Sequence, residues 1–215
     1  MLNELKTIEE IDKSGMLNDI ANFPEQIKEA EKLVENSNIT NIYKIDNIII
    51  SGMGASAISG DIIQSLLRDR IDIPIFITRQ YDLPKWANKN TLVLSQSYSG
   101  DTEETLSTFK HAFQKHCKII AISSGGKLQE YCKKREVPFI KIPSGGQPRT
   151  ATGYILFCSI YALKKIGLLQ QDINQEIQET IQIAEEFRNS NKKEVPEEKN
   201  LSKQLARKLF NKIPQ

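Results

Sequence analysis

The hydrophobic positions along this chain change period several times, and the changes mark its elements. Phe23-Pro24-Glu25 puts proline where helices begin. Ile27, Ala30, Leu33 and Val34 then follow at helical spacing until Asn36-Ser37-Asn38 ends the run. Residues 45–51 carry Ile48-Ile49-Ile50, a short β-branched run of the kind buried on both faces of a parallel sheet. A helix is predicted over 55–68, with Ile58, Ile62, Ile63, Leu66 and Leu67 on one side. The same alternation continues with strands at 73–78 and 91–95, a helix over 102–116, a strand at 118–123, a helix from about Gly126 and a short strand at 138–142. Pro74, lacking an N–H, marks the second of these strands as an edge. The pattern predicts an α/β fold: a five-stranded parallel sheet flanked by helices, doubly wound in the flavodoxin-like manner. Ligands of such sheets bind at the carboxyl ends of the strands, which directs attention to the loops after Ile50, Leu94, Ile122 and Ile142.

Beyond the sheet the period is helical throughout. One helix is expected over 150–165 and a second from Asp172 as N-cap, with Ile173, Ile177, Ile181, Ala184 and Phe187 as its stripe. The polar stretch 189–199 reads as a linker, and Asn200 caps a third helix with Leu201, Leu205 and Leu209 on one face. That face has nothing after it in the chain to bury against. The expectation is therefore an interrupted unit, with residues 1–190 as one domain and 191–215 as a linker plus the first helix of another. No internal repeat is visible.

Composition narrows the classes without choosing one. Of 215 residues, 39% are hydrophobic and 26% charged, which is ordinary for a globular protein. The 29 basic and 27 acidic side chains leave a net charge of +2, with no clustered basic face for nucleic acid. The longest nearly apolar run, 154–163, is well short of the roughly 20 residues a membrane helix needs. Cys117, Cys132 and Cys158 are too widely spaced for a metal knuckle or a redox pair. Residues 1–10 lack the basic start and apolar centre of a secretion signal. The expected setting is the reducing cytoplasm, with no nucleic-acid or membrane partner.

Four loops carry candidate chemistry. Gly52-Met53-Gly54-Ala55-Ser56-Ala57 lies between a strand and a helix and fits the dinucleotide pattern G-x-G-x-x-A. The next strand ends in Thr78-Arg79 instead of an acid, which leaves open an NADP reading with Arg79 on the extra phosphate, or a tight turn without a ligand. Ser97-Tyr98-Ser99-Gly100-Asp101-Thr102 is more specific, because hydroxyls at 97, 99 and 102 surround a glycine where a strand turns into a helix. Unpaired N–H groups and the positive helix end favour an anion there; the alternative is a capping cluster, with one hydroxyl as N-cap and Glu103 and Glu104 matching the dipole. Those two glutamates are explained by the first helical turn, and repulsion from a phosphate disfavours either as a base. Asp12 and Asp61 have no evident partner, and His111 and His116 read as surface cations late in a helix. Ser123-Ser124-Gly125-Gly126-Lys127 lacks the upstream glycine of a triphosphate loop. Pro143-Ser144-Gly145-Gly146-Gln147-Pro148-Arg149 is a shaped turn that delivers Arg149 to a helix start, as a ligand contact or as a surface arginine.

Together these loops resemble the SIS (sugar isomerase) domain and, more narrowly, the bifunctional phosphoglucose/phosphomannose isomerase family. The hydroxyl loop with its Glu103-Glu104-Thr105 continuation marks SIS domains generally. The Gln147-Pro148-Arg149 turn, with Gly52–Ala57 and Ser124-Gly125-Gly126-Lys127-Leu128 in order, makes the narrower match. The likeness is strong over 48–154 and weaker to the end. It implies that Gly54 and Ser56 line the sugar side of a pocket, that Ser97, Ser99 and Thr102 grip a phosphate, and that Arg149 is the catalytic arginine facing C1 and C2. The implied substrate is a phosphorylated hexose: fructose 6-phosphate exchanging with glucose 6-phosphate or mannose 6-phosphate through an enediol, without metal or nucleotide cofactor. The implied whole protein is a homodimer. Two departures stand out. Asp101 occupies a place where the family commonly has Asn, and its charge would weaken phosphate binding. The family's glutamate base and ring-opening histidine belong to a second SIS domain, so this chain is expected to be inactive alone. A non-catalytic SIS module that senses a sugar phosphate is the alternative from the same serines.

Overall fold

The protein is described here by a computed structural model that covers residues 2–169 and 173–212. Five strands, β1 Asn47–Ser51, β2 Ile75–Thr78, β3 Thr91–Gln96, β4 Lys118–Ser123 and β5 Phe139–Lys141, form one sheet in the order β2-β1-β3-β4-β5. Every pairing is parallel. Chain order reverses between β1 and β3, so the loops after those two strands open side by side at the carboxyl end of the sheet. Pro74 immediately precedes β2, which is an edge strand as its sequence predicts.

Strand side chains alternate between faces. Ile48, Ile50, Leu92, Leu94, Ile120 and Ile122 point to one layer, shared with helices α3 (Phe23–Glu35), α4 (Gly54–Leu67), α7 (Thr152–Lys165) and α8 (Ile173–Asn191). Ile49, Val93, Ile119 and Ala121 point to the other, against α5 (Glu103–Gln114) and α6 (Gly126–Arg135). Ile48, Ile49 and Ile50 are all fully buried, and each contributes about 1.5–3 kcal/mol from lost apolar surface. Two short helices precede α3: α1 (Leu5–Ile11) and α2 (Met16–Ala21). The last element, α9 (Leu201–Leu209), follows a 3-10 turn at Glu197–Lys199.

Three expectations change in detail. In α4 the buried face is Ala57, Gly60, Ile63 and Leu67, whereas Ile58 and Ile62 are exposed. The cause is close packing: a Cβ on Gly60 would lie 3.0 Å from Cγ2 of Ile50, so the small residues face the sheet. In α8 only Ile173, Ile177 and Ile181 are buried, and Phe187 lies in solvent. The helix also runs through the start of the polar stretch to Asn191, whose side-chain oxygen accepts from Ser202 N at 3.0 Å. The expected Asp172 cap lies outside the described residues.

Asn200 does cap α9, its side chain accepting from Lys203 N at 3.0 Å. The apolar face of that helix, Leu201, Leu205 and Leu209, is exposed among the described residues. The N-terminal segment reaches this region, with Asn3 accepting from Glu197 N and Glu9 paired with Lys193 at 2.9 Å.

Candidate functional site

The loop after β3 is built from its own hydroxyls. Ser97, fully buried at the strand end, shares a 2.9 Å hydrogen bond with Thr102 Oγ1, and its Oγ accepts from Gly100 N at 3.0 Å. Gly100 adopts φ +78°, and a Cβ there would lie 1.9 Å from the Gly125 carbonyl oxygen. Only glycine fits. Ser99 is exposed, and its Oγ accepts from Asp101 N at 3.2 Å. Thr102 stands at the N-cap of α5 in extended conformation, and its side chain makes no cap bond. An ordinary capping cluster would use that hydroxyl on the N–H groups of the first turn. Here those donors keep the orientation and partial positive charge that attract an anion.

The neighbouring loops lock onto this one. Ser124 N and Oγ both donate to Tyr98 O, at 2.9 and 2.7 Å, and Leu128 N donates to Gly100 O. Asp101 turns away from the hydroxyls: its Oδ1 accepts from Lys127 N at 3.1 Å, in the first turn of α6. Its negative charge thereby also faces the start of α6, where a helix N-terminus favours it. The Tyr98 hydroxyl accepts from Gly146 N at 3.0 Å, tying the hydroxyl loop to the turn that carries Arg149. Arg149 is exposed in a 3-10 turn, Pro148–Thr150, packed against α2 and α4. Its guanidinium makes no hydrogen bond or ion pair among the described residues.

The loop after β1 opens the other side. Gly54 takes φ +52° at the first position of α4, with open space around a would-be Cβ, and Ser56 is buried beneath it. Ser51 and Thr108 share a 2.5 Å hydrogen bond that ties β1 to α5. The structure thus gathers Ser97, Ser99 and Thr102 around one glycine, joins them to the Arg149 turn through Tyr98, and sets that turn against the helix bearing Gly54 and Ser56.

Other candidates find ordinary partners. Arg79 is ion-paired with Asp61, so the arginine invoked for an NADP phosphate is already engaged. Asp12 accepts from Met16 N and Leu17 N at the start of α2. His111 pairs with Asp82 at 3.2 Å, and His116, at φ +56°, follows the end of α5. Glu104 foremost, with Glu103, raises the pKa of the Tyr81 phenol in the loop between β2 and β3. Among the described residues no cluster of His, Cys, Asp or Glu could hold a metal ion, and no helix is long and apolar enough to cross a membrane.

Three contributors escaped the sequence: Tyr98 as a tie, and Asp19 and Gln26 as supports of the Arg149 turn. Asp19 Oδ2 accepts from Gln147 N at 3.3 Å and faces Thr150 Oγ1 at 3.2 Å. Gln26 Nε2 donates to Thr150 O at 2.9 Å. Tyr98 sits inside a visible motif, but the other two act across more than 120 positions of chain, and no local pattern announces them.

Comparison with known proteins gives a consistent picture. The chain is 42% identical over 200 residues to a bifunctional phosphoglucose/phosphomannose isomerase of Caldicellulosiruptor bescii, covering 93% of this chain and 59% of that one. It is 36% identical over 169 residues to the protein of the same name from Thermoplasma acidophilum, covering 74% and 52%. A D-glucosamine-6-phosphate 4-epimerase of Sulfolobus acidocaldarius is 32% identical over 139 residues, covering 63% and 43%. The chain thus spans about half the length of the curated relatives it matches. No protein-family model matches it. In fold it resembles a hypothetical protein of Thermus thermophilus (TM-score 0.64, 17% identity, 91% of this chain and 48% of that one). It also resembles the tagatose-6-phosphate ketose/aldose isomerase of Escherichia coli (TM-score 0.51, 16% identity, 79% and 49%).

Proposed function

Because this chain belongs by sequence to the bifunctional phosphoglucose/phosphomannose isomerase family, we propose that it holds the phosphate of a hexose 6-phosphate during aldose–ketose isomerisation. The substrates would be fructose 6-phosphate and its glucose and mannose counterparts. One observation carries the proposal: α5 begins without a side-chain cap, at a glycine-centred loop of three hydroxyls. Ser97, Ser99, Thr102 and the first-turn N–H groups would bind the phosphate, where charge-assisted hydrogen bonds are the strong kind. Gly54 and Ser56 would flank the sugar. In the opened sugar a proton leaves one of C1 and C2 and returns to the other, so the redox level of the whole molecule is unchanged. Negative charge gathers on the enediolate oxygens in between, and the unpaired guanidinium of Arg149 is suited to oppose it.

A base must come from elsewhere in the whole protein. Glu103 and Glu104 stand in the first turn of α5, where a carboxylate matches the helix dipole and would be repelled by a bound phosphate. His111 lies eight residues along α5 from Glu103, roughly 12 Å at 1.5 Å per residue. We therefore assign residues 1–190 to phosphate holding and 191–215 to the approach to a further domain that supplies the acid–base pair. A cytoplasmic setting fits three free thiols. The distance of both histidines from the hydroxyl loop also favours a second reading, a sugar-phosphate-holding module without chemistry of its own.

Proton NMR of fructose 6-phosphate in D₂O with the purified chain separates these. Perturbed ligand signals without deuterium uptake at C1 are expected. Deuterium uptake with aldose formation would place a base inside this chain and overturn the division of labour. Unperturbed signals at millimolar chain would overturn the phosphate site itself.

A further inference from the structure

We propose that Asp19 is a positioning residue for Arg149: it touches no substrate, and it fixes the turn from which the guanidinium reaches the sugar. This rests on the assignment of Arg149 to the sugar carbons made above. The turn needs external support. Gly145 takes φ +99° with nothing within 4 Å of a would-be Cβ, so its outer side is open. Behind it lies a cavity of about 140 Å³ whose walls include Asp19, Gln26, Tyr98, Gly146 and Thr150. A turn between open solvent and a cavity has little van der Waals contact to define it, so polar ties set its course.

Those ties are few. Tyr98 holds Gly146 N, and Gln26 holds Thr150 O. Of these outside ties only Asp19 reaches both sides of the arginine, accepting from Gln147 N on one side and facing the Thr150 hydroxyl on the other, and it adds to the turn's own Thr150 N to Gln147 O bond of 2.9 Å. The Thr150 hydroxyl also lies 2.8 Å from Gln147 O, so its single proton is shared between the carboxylate and that carbonyl. Among the described residues Asp19 makes no ion pair with Arg149, so its charge orients the backbone and leaves the guanidinium unneutralised. Gly146 fits the same geometry, since a Cβ there would lie 3.2 Å from Asp19 Oδ2. Asp19 is itself presented by α2, whose start is capped by Asp12 through Met16 N and Leu17 N. The N-terminal helices thereby become part of the sugar site without reaching it.

The test compares two ligands on the full chain: inorganic phosphate, which needs only the hydroxyl loop, and fructose 6-phosphate, which also needs Arg149. Asp19→Ala is expected to weaken fructose 6-phosphate about tenfold while phosphate affinity stays within about twofold of wild type, and Asp19→Asn to restore most of the loss. Arg149→Ala should show the same selective loss, and adding Asp19→Ala to it should cost nothing further. Unchanged fructose 6-phosphate binding by Asp19→Ala would overturn the proposal. So would an equal loss of both ligands, or full additivity with Arg149→Ala, because each makes Asp19 a general structural residue. Wild-type chain that binds neither ligand would instead refute the phosphate site, and the positioning role with it.

Discussion

A methyl group on Gly100 would come within 1.9 Å of a neighbouring carbonyl oxygen at a backbone angle that side chains rarely adopt. Gly100→Ala should cost the roughly 1–2 kcal/mol of a left-handed alanine and the displacement of the loop at Gly125 besides. Urea denaturation would show the first and loss of phosphate binding the second. Ser99→Ala is the gentler probe, because Ser99 is exposed and its hydroxyl accepts only from Asp101 N. Fructose 6-phosphate affinity should fall about tenfold or more, as a hydrogen bond to a charged group contributes about 1.5–3 kcal/mol, with the thermal midpoint unchanged. The cysteines give a pH signature. Burial raises the Cys132 thiol from 9.0 to about 12 and pushes Cys158 up as well, while burial raises half-buried Cys117 against the pull of Lys115. An acid whose folded pKa is raised contributes stability below its unfolded pKa and loses it as pH rises toward the folded value. The urea midpoint should therefore hold from pH 6 to 8 and fall from about pH 9 upward, and thiol alkylation at pH 8 should reach Cys117 before the other two.

At the level of elements, each strand was legible because five apolar runs are short, β-branched and bounded by turn residues, and the edge position of β2 followed from Pro74. The buried face of α4 was not. Periodicity weighs large apolar residues, so it favoured Ile58 and Ile62, while contact with the sheet required Ala57 and Gly60. The hydroxyl loop was readable from residue type and position, yet the absence of a cap at Thr102 is a matter of side-chain direction that no pattern encodes. Asp101 shows the same limit: its place in the loop was readable, while the bond its carboxylate accepts from Lys127 N was not. For α9, the Asn200 cap was readable and is now testable. Asn200→Ala removes the bond from Lys203 N and the one it donates to Lys192 O, and should destabilise α9 by about 1 kcal/mol. Faster amide hydrogen exchange confined to residues 201–209 would register it.

Considered as a whole, the molecule gathers its loop hydroxyls where the parallel strands end, and it carries exposed large apolar side chains on α8, on α9 and just after α9. Phe187, Leu201, Leu205 and Phe210 are each more than half exposed, at 62%, 65%, 52% and 67%. Side chains of this size in solvent favour association. Light scattering should find the chain self-associating with rising concentration, and Phe187→Lys with Leu205→Lys should return it to a monomer. The uncapped start of α5 has a further consequence, for the lifetime of the protein. An anion that seats there binds the folded chain and not the unfolded one, and so adds RT ln(1 + [L]/Kd), about 2.7 kcal/mol at a hundredfold excess over Kd. If that anion is the proposed sugar phosphate, the last cap of the helix is a metabolite, and resistance to heat and proteases rises with the logarithm of its concentration.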